Sequence, residues 1–351
     1  MFKDITLEEA LELDEALLVD VRSENEYLTD TIPGAVNIPV LNNEERAAVG
    51  LTYHRDGTEQ AVRLGLELVS PKLGDKLSAV DKLSRGRKVV VFCWRGGQRS
   101  ELMALFLDTA GYPVYRIAGG YKAYRSYVNE YLSQQKLPLR AVVLHGLTGV
   151  GKTDVLNSLA QKGVPVLDLE GLARHRGSVY GKIGLPPSPS QKAFEGHIVQ
   201  LLKKACGRGF FVVECESRRV GNLFVPPLVM EFIRHGERIL LYTSFENRIK
   251  RIREVYAGGP GSSVIELQRA TSSLVKRLGR ARVEELNQLL AEKNFDHVIS
   301  FMLKYHYDPL YNYPDSPCAG YDLCVDTADM ENAVNIICEF VTDLPLHESL
   351  R

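Results

Sequence analysis

Short apolar runs alternate with amphipathic or polar stretches along the first third of the chain. The apolar runs are rich in β-branched residues and lie at 16–22, 35–40, 88–93 and 113–120. A helix-like stretch occupies residues 100–111. Strands separated by helices normally join one parallel sheet. The pattern therefore predicts a parallel-sheet α/β domain over residues 1–130.

A second alternation of the same kind follows a polar segment, residues 131–139, that contains Pro138 and predicts a linker. Its apolar runs lie at 141–146, 164–170, 210–217 and 238–244. With helices between them, these runs predict a doubly wound α/β sheet. From Phe245 onward the pattern is helical and charged, with a break at Gly259–Gly261. We expect a second α/β domain over residues 140–351 with a helical C-terminal part.

Composition narrows the class of protein. The 351 residues are 45% hydrophobic, which is enough for two or three globular domains. Lys and Arg number 43 and Asp and Glu number 44, so a nucleic-acid contact must come from local basic clusters. Six scattered cysteines without a CxxC pair argue against a disulfide framework and a zinc site. No leader pattern or membrane-length apolar run is seen, so we expect a cytoplasmic monomer without membrane contact.

A cysteine loop follows the third apolar run. Cys93 ends the run and precedes a helix, with Arg95, Gly96, Gly97 and Arg99 in between. Glycines let backbone N–H groups curl inward, and the helix N-terminus adds positive potential, so the loop would favour a thiolate. A buried structural cysteine is the alternative for any single cysteine at a strand end. These five residues are the predicted catalytic group.

Three segments in this region resemble the rhodanese family of sulfurtransferases in type and order. They are the CxRGGxR loop at Cys93, DVRSENEY at Asp20–Tyr27 and TIPGAVNIPV at Thr31–Val40. The resemblance implies that Cys93 is the nucleophile and that the first domain is rhodanese-like. Dual-specificity phosphatases of the same fold have a loop one residue longer, so a chalcogen carrier is favoured over phosphate-ester hydrolysis.

The run at 141–146 leads into the pattern G-x-x-x-x-G-K-T, with a strand before it and a helix after it. Such a loop cradles a di- or triphosphate through its glycine backbone, the helix dipole and the charge of Lys152. The pattern does not identify the organic part of the ligand. The expected phosphate-binding residues are Gly146, Thr148, Gly149, Val150, Gly151, Lys152 and Thr153.

The acidic partner of this phosphate loop is less clear from the sequence. One strand end offers Glu214 and Glu216, and another offers Asp168 and Glu170. Neither matches cleanly the apolar run followed by Asp that accompanies ATP hydrolysis. We expect Thr153, Asp168 and Glu214 as ligands if Mg²⁺ binds, and ATP hydrolysis does not follow from the pattern.

A rhodanese-like domain fused to a phosphate-loop domain resembles the tRNA 2-selenouridine synthase family. The His306 insertion between Tyr305 and Tyr307 departs from the family's tandem tyrosines. The further matching segments are Asp168–Ser178, Pro189–Glu195, Glu214–Gly221 and Tyr305–Tyr311.

This resemblance implies a two-step exchange on tRNA that carries 2-thiouridine at the wobble position. Geranyl diphosphate would first alkylate the sulfur, and selenium from selenophosphate would then displace geranylthiol. We expect both compounds as co-substrates, with the diphosphate in the phosphate loop, because its departure requires neutralised charge. Selenophosphate is assigned to the loop of Cys93, where Arg95 and Arg99 would hold the anionic donor.

Basic clusters and tyrosines in the second domain could contact the RNA. The clusters at 250–253 and 276–282 lie on predicted helices, where a solvated charged face is an equal alternative. The tyrosines could stack on an unstacked base or belong to the core. The preferred tRNA-binding candidates are Arg174, His175, Arg176, Arg218, Arg219, Tyr305 and Tyr307.

Two other functions fit the same motifs. The nearer one is a rhodanese-type sulfurtransferase fused to an ATPase or kinase-like module, and it would retain cyanide-dependent sulfur transfer without acting on 2-thiouridine. The other is a binding module in which the phosphate loop senses a nucleotide, and it would keep its function after substitution of Cys93.

Overall fold

The computed structural model of the protein describes residues 1–257 and 263–344, so the predicted break at Gly259–Gly261 lies outside the described residues. The chain divides into two compact units, Met1–Tyr131 and Leu132–Arg351. Within the described ranges, no helix is both long and apolar enough to cross a membrane.

Unit 1 is built on a parallel sheet of five strands with the order β1-β5-β4-β2-β3. Its central strand β4 is buried at all four positions, as expected for a parallel strand covered on both faces. The strands are β1 Lys3–Ile5, β2 Leu17–Asp20, β3 Val36–Asn37, β4 Val89–Phe92 and β5 Val114–Ile117. The helices are α1 Leu7–Glu12, α2 Glu24–Thr29, α3 Asn43–Asp56, α4 Thr58–Val69, α5 Leu73–Ser84, α6 Gln98–Thr109 and α7 Gly120–Ser133, with a 3₁₀ turn at Ser70–Lys72.

The α7 helix overlaps the segment that we predicted as a linker over 131–139. Tyr131 is 8% exposed and belongs to the buried face of α7, so the helix continues through Ser133. Residues 134–139 lie outside helices and strands, and the first strand of unit 2 begins at Arg140.

Unit 2 contains a second parallel sheet, whose described strands have the order β12-β11-β6-β8-β7. The chain leaves β6 toward β7 and β8 and later returns to β11 on the other side, so the loop after β6 lies at a topological switch point. The strands are β6 Arg140–His145, β7 Val166–Leu167, β8 Phe210–Glu214, β9 Arg219–Val220, β10 Leu223–Phe224, β11 Glu237–Tyr242 and β12 Leu323–Asp326, and β9 with β10 forms a separate antiparallel pair.

Helices cover both faces of this sheet. One face packs α8 and α18 into an apolar cluster with Val142, Leu144 and Ile239. On the other face, Phe211 of β8 contacts Phe232 of α11 with ring centroids 5.3 Å apart. The helices are α8 Lys152–Gln161, α9 Leu169–Ala173, α10 Gln191–Cys206, α11 Pro227–His235, α12 Phe245–Ala257, α13 Val264–Ser272, α14 Val275–Leu278, α15 Arg280–Ala291, α16 Phe295–Met302, α17 Asp308–Tyr311 and α18 Met330–Thr342, with a π-helical segment at Leu303–Tyr307.

The predicted fold class is confirmed: a rhodanese-like parallel-sheet domain is joined to a phosphate-loop α/β domain with a helical C-terminal part. The C-terminal part is not wholly helical, because β12 returns to extend the sheet beside β11. The helices α12 to α16 form a second apolar cluster of unit 2, which contains Leu267, Leu290, Val298 and Met302.

Candidate functional site

The cysteine loop of unit 1 lies between β4 and α6 and packs tightly against the start of α7. The backbone N–H of Tyr121 donates to the Cys93 carbonyl at 2.8 Å. A Cβ on Gly120, whose φ is +56°, would lie 2.3 Å from that carbonyl oxygen. Gly96 has a φ of +67°, and a Cβ there would lie 2.9 Å from the Ile117 carbonyl. Glycine is therefore required on both sides of this contact.

The Cys93 side chain is 4% exposed, which differs from the open, electropositive nest that the sequence predicted. Its sulfur lies 3.2 Å from the Ser100 hydroxyl and 3.7 Å from the Gly97 carbonyl. The side chain is directed inward to these polar atoms, in contact with the apolar cluster of unit 1. The sulfur is therefore covered by atoms of its own loop and of the helix that follows it.

The two arginines of the predicted catalytic group have different surroundings. Arg99 Nη1 donates to Glu26 Oε2 at 2.6 Å. Burial alone would raise the pKa of Glu26, but the hydrogen bond and charge of Arg99 outweigh it, and the pKa is lowered. Arg95 is exposed on the loop surface. Arg95 is thus the cation of this pair that is positioned to meet an anion directly.

The phosphate loop of unit 2 connects β6 to α8, as predicted. Gly146 has a φ of +141°, and a Cβ there would lie 2.3 Å from the Leu241 carbonyl. Lys152 Nζ donates to the carbonyls of Gly146 and Leu147 at 2.8 and 3.3 Å. Val150 was predicted to bind phosphate, but its side chain belongs to the apolar core, so only its backbone could take part.

Two arginines of α12 brace this loop. Arg248 Nε donates to the Thr148 carbonyl and Arg251 Nη1 to the Val150 carbonyl, both at 2.8 Å. Arg248 is buried and forms an ion pair with Asp308. The sequence placed Arg251 in a basic helical cluster that could either contact RNA or form a solvated face, and the structure directs its guanidinium to the phosphate loop. A basic residue on an amphipathic helix carries no local sign of the loop carbonyls that it meets in three dimensions.

Three carboxylates lie together beside the phosphate loop. Oxygen atoms of Glu170, Glu214 and Glu216 are all within 4.8 Å of one another. Burial and the charge of Glu214 raise the pKa of Glu170 to about 9. Burial and the charge of Glu216 raise the pKa of Glu214 to about 8. An all-oxygen donor set of this kind suits a hard divalent cation, which would let all three carboxylates ionise.

Asp168, a predicted metal ligand, caps a helix and lies outside the cluster of three carboxylates in the described residues. Its Oδ1 accepts the backbone N–H of Gly171 at 2.7 Å at the N-terminus of α9. Glu170, the second residue of that helix, contributes its carboxylate to the cluster with Glu214. Thr153, the remaining predicted ligand, lines the adjacent cavity.

A cavity of about 650 Å³ connects the phosphate loop to the helical cluster of unit 2. One end is formed by the phosphate loop and the three carboxylates. We call the other end the apolar chamber. Its walls are aliphatic and aromatic side chains of α12 to α16, namely Ile252, Val255, Leu267, Leu290, Phe295, Val298, Ile299 and Met302. The cavity therefore suits an amphipathic ligand with an anionic head and an apolar tail.

A polar belt separates the two ends of the cavity. It contains Arg176, whose guanidinium lies 5.6 Å from the ring centre of Tyr256. It also contains Tyr307, which is 8% exposed and whose hydroxyl lies within hydrogen-bonding reach of the Ser178 side chain. These side chains place polar groups on the wall of a cavity whose lining is otherwise largely apolar.

The structure separates the predicted RNA-binding residues into buried and exposed ones. His175 is 8% exposed and packs against Gly181 and Gly221, and Tyr307 lies in the apolar cluster, so neither presents a surface to RNA. Tyr305 is 66% exposed. The other exposed candidates are Arg174, Arg218 and Arg219.

The helical charge clusters behave largely as solvated faces. Arg253 pairs with Asp296 at 2.9 Å, and both are about half exposed. Arg282 pairs with Glu285, one helical turn away. The pair within α15 matches the solvated-face alternative that the sequence left open, whereas the pair of Arg253 joins α12 to α16.

The fold and the site define an enzyme-like fusion of a rhodanese-like domain with a phosphate-loop domain. Family models describe residues 5–127 as a rhodanese-like domain and residues 139–321 as a tRNA 2-selenouridine synthase AAA domain. The chain belongs to the tRNA 2-selenouridine synthase family, as the motifs predicted.

Individual relatives align over most of both chains. Proteins named tRNA 2-selenouridine synthase from Nitrosomonas eutropha, Pseudomonas entomophila and Sulfurovum sp. are 33%, 33% and 31% identical to this chain. The alignments cover 84%, 91% and 86% of this chain and 87%, 93% and 89% of the relatives. A solved N-terminal domain of an ATP/GTP binding protein from Clostridium difficile is 40% identical over 36% of this chain and 98% of its own, with a TM-score of 0.35.

Proposed function

We propose that the protein replaces the sulfur of a wobble 5-substituted 2-thiouridine in tRNA with selenium, through an S-geranylated intermediate. The name shared by relatives that align over most of the chain supports the overall conversion. Geranyl diphosphate and selenophosphate are the proposed co-substrates, and tRNA with 2-thiouridine is the proposed partner.

The cavity of unit 2 is the observation that carries the alkylation step. Its phosphate loop matches a diphosphate, and its apolar chamber matches an isoprenoid chain. A nucleoside triphosphate would place a polar sugar and base against the same aliphatic wall, which offers such groups few partners. The cavity thus favours an isoprenoid diphosphate over ATP.

The chemistry of alkylation defines what the loop must do. The thione sulfur forms a bond to the first carbon of the geranyl group, the carbon–oxygen bond to diphosphate breaks, and the base loses its N3 proton. Negative charge develops on the departing diphosphate, where the loop amides and Lys152 would neutralise it. Lys152 must first exchange its carbonyl partners, Gly146 and Leu147, for phosphate oxygens.

Mg²⁺ would be held by Glu170, Glu214 and Glu216, with the Thr153 hydroxyl in the same cavity. The oxygen donors and the raised pKa values of Glu170 and Glu214 support this assignment, because a cation would replace the protons that the cluster retains. When bound, the ion supplies positive charge near the departing diphosphate.

The second step is assigned to the loop of Cys93. The Cys93 thiolate displaces geranylthiol from C2 of the base, the selenium of selenophosphate then displaces Cys93 from that carbon, and water hydrolyses the selenium–phosphorus bond to release phosphate. The exposed Arg95 is positioned to attract the selenophosphate anion, whereas Arg99 is already paired with Glu26. Cys93 Sγ, which lies 3.2 Å from the Ser100 hydroxyl, is the proposed nucleophile of this step.

Mass spectrometry of the wobble nucleoside tests the proposal directly. Thiolated tRNA is incubated with the protein and geranyl diphosphate, and selenophosphate is then added. We expect an S-geranyl nucleoside first and 2-selenouridine second. Unchanged 2-thiouridine, together with cyanide-dependent sulfur transfer from thiosulfate, would instead support the rhodanese-type sulfurtransferase fused to an ATPase or kinase-like module.

A further inference from the structure

Trp94 is the one tryptophan of the protein, and it directly follows Cys93. Cys93 is buried, but the Trp94 side chain is 38% exposed. Part of a large planar ring therefore faces solvent at the residue next to the predicted nucleophile. The proposed chemistry leaves this ring without a role.

The indole of Trp94 packs against the side chains of Tyr121 and Arg22. Its ring centre lies 5.4 Å from that of Tyr121, at an angle of 38°. The guanidinium of Arg22 lies 5.8 Å from the Trp94 ring and 4.1 Å from the Tyr121 ring. Arg22 is 1% exposed and is held by Asp20 at 2.7 Å. A ring supported in this way loses little conformational entropy when a ligand stacks on it.

The backbone also fixes the position of the ring. The Trp94 carbonyl accepts the N–H of Lys122 at 2.9 Å, beside the contact between Cys93 and Tyr121. The glycines at 96 and 120 allow this close approach. The loop therefore presents the indole in one orientation next to the cysteine.

The charges near the ring favour a polyanionic partner. Two exposed cations lie next to the ring. Arg95 follows Trp94 in the sequence, and the backbone N–H of Lys122 donates to the Trp94 carbonyl. The charges of Arg22 and Arg99 are already balanced by Asp20 and Glu26. An exposed aromatic ring flanked by exposed cations is an arrangement that proteins use to bind single-stranded RNA, with the base on the ring and the phosphates on the cations.

We propose that Trp94 is a stacking platform for an unstacked base of the tRNA substrate, with Arg95 and Lys122 contacting the adjoining phosphates. The inference rests on the proposed function in taking tRNA as the substrate. It places an RNA contact in unit 1, whereas every candidate predicted from the sequence lies in unit 2. The contact would bring the base to the loop of Cys93 for the selenium step.

Tryptophan fluorescence tests this contact directly, because all of the tryptophan emission comes from Trp94. The probe is an anticodon stem-loop RNA with 2-thiouridine at the wobble position. We expect saturable quenching by this RNA and much weaker quenching when a complementary oligonucleotide pairs the loop bases. Unchanged emission at RNA concentrations that saturate binding, measured separately with a labelled stem-loop, would overturn the proposal.

Substitutions separate stacking from support of the loop. W94A should weaken binding of the stem-loop about 5- to 150-fold, the range expected for the loss of one base-stacking contact. W94F and W94Y should retain most of the affinity. L105A, which removes a similarly exposed apolar side chain from α6, is the matched control and should bind normally. Equal losses in W94A and W94F, or no loss in either, would contradict the stacking role.

The same samples distinguish this inference from the proposed function. If the wild-type protein makes 2-selenouridine but its emission does not respond to RNA, the stacking inference alone fails. If emission is quenched but mass spectrometry shows neither geranylation nor selenation, the proposed function fails while the RNA contact stands.

Discussion

Two loops of this protein share one local design and differ in what surrounds them. Each follows a buried parallel strand, contains at least one glycine with positive φ and leads into a helix, α6 in unit 1 and α8 in unit 2. The first loop surrounds a thiol that is 4% exposed. The second opens into a cavity of about 650 Å³.

The difference lies in charge balance and in space. Around the first loop, Arg99 is paired with Glu26, and the sulfur of Cys93 is in contact with Ser100. Around the second, clustered carboxylates retain protons, and Lys152 contacts only carbonyls of its own loop among its hydrogen-bond partners in the described residues. The phosphate loop thus borders a cavity of about 650 Å³, whereas the sulfur of the cysteine loop is covered by its own loop and the following helix. The expected effects of substitutions at the two loops range from loss of the selenium step to small shifts in Tm.

The largest expected effect is in the second step. C93S should allow geranylation but reduce selenium entry by about 10⁴- to 10⁶-fold, as when the nucleophile of an enzyme is removed. Mass spectrometry should therefore show S-geranyl nucleoside accumulating. The matched control is C318S, which changes an exposed cysteine of unit 2. Normal selenation by C93S would show that this loop is not the site of the step.

The first step should depend on the phosphate loop. K152A should slow geranylation about 10²- to 10³-fold, because it removes a charge aimed at the departing diphosphate. The control is K162A, an exposed lysine at the end of α8 that contacts Asn335. The rate of S-geranyl product formation is the measurement. Selenation of chemically pre-geranylated tRNA should survive in K152A, and its loss would argue against separate sites.

A smaller effect should follow from filling the apolar chamber. Val298 is 5% exposed and lines the chamber wall. V298F should raise the KM for geranyl diphosphate about 10-fold, because a lost apolar contact of this size is worth about 1–3 kcal/mol. The shorter dimethylallyl diphosphate should be affected less. I265F, at an exposed position of α13, is the control. Equal effects on both diphosphates would mean that the geranyl group does not bind in the apolar chamber.

The smallest expected effect is on thermal stability as a function of pH. The pKa of Glu170 is raised from its ordinary 4.5 to about 9, so between these values the unfolded chain releases a proton that the folded protein keeps. The free energy of unfolding should therefore fall as pH rises through this window. E170Q should flatten the fall, giving a Tm about 2–4 °C above wild type at pH 8 for each kcal/mol relieved.

Two measurements sharpen this last prediction. E284Q changes an exposed glutamate of α15 and should leave the slope of Tm against pH unchanged. Added Mg²⁺ should raise the Tm of the wild type at pH 8 more than that of E214Q, since the ion would replace the retained protons. If Tm falls with pH at the same slope in E170Q and wild type, Glu170 does not retain a proton in the folded protein.

Apolar patterning predicted the main strands well, because β2, β4, β6, β8 and β11 each overlap a predicted apolar run. It missed β12, which lies in the segment expected to be helical. A short edge strand takes its conformation from pairing with β11, and that partner is distant in sequence.

The polar region between the second and third apolar runs also resisted prediction. It forms α3, α4 and α5. The α3 helix buries no residue and so carries no apolar stripe. Its local signal is the capping box of Asn42 and Glu45, in which each side chain accepts the other residue's backbone N–H.

The sequence by itself determined both loops, since glycine, cysteine and lysine at fixed spacing after an apolar strand dictate their local geometry. Only the tertiary structure decided that Cys93 turns inward, that Glu170 rather than Asp168 joins Glu214, and that Arg251 braces the phosphate loop. It also decided that helices α12 to α16 enclose an apolar chamber. The reason is physical: backbone conformation follows neighbours along the chain, whereas burial, charge pairing and cavities depend on residues that folding brings together.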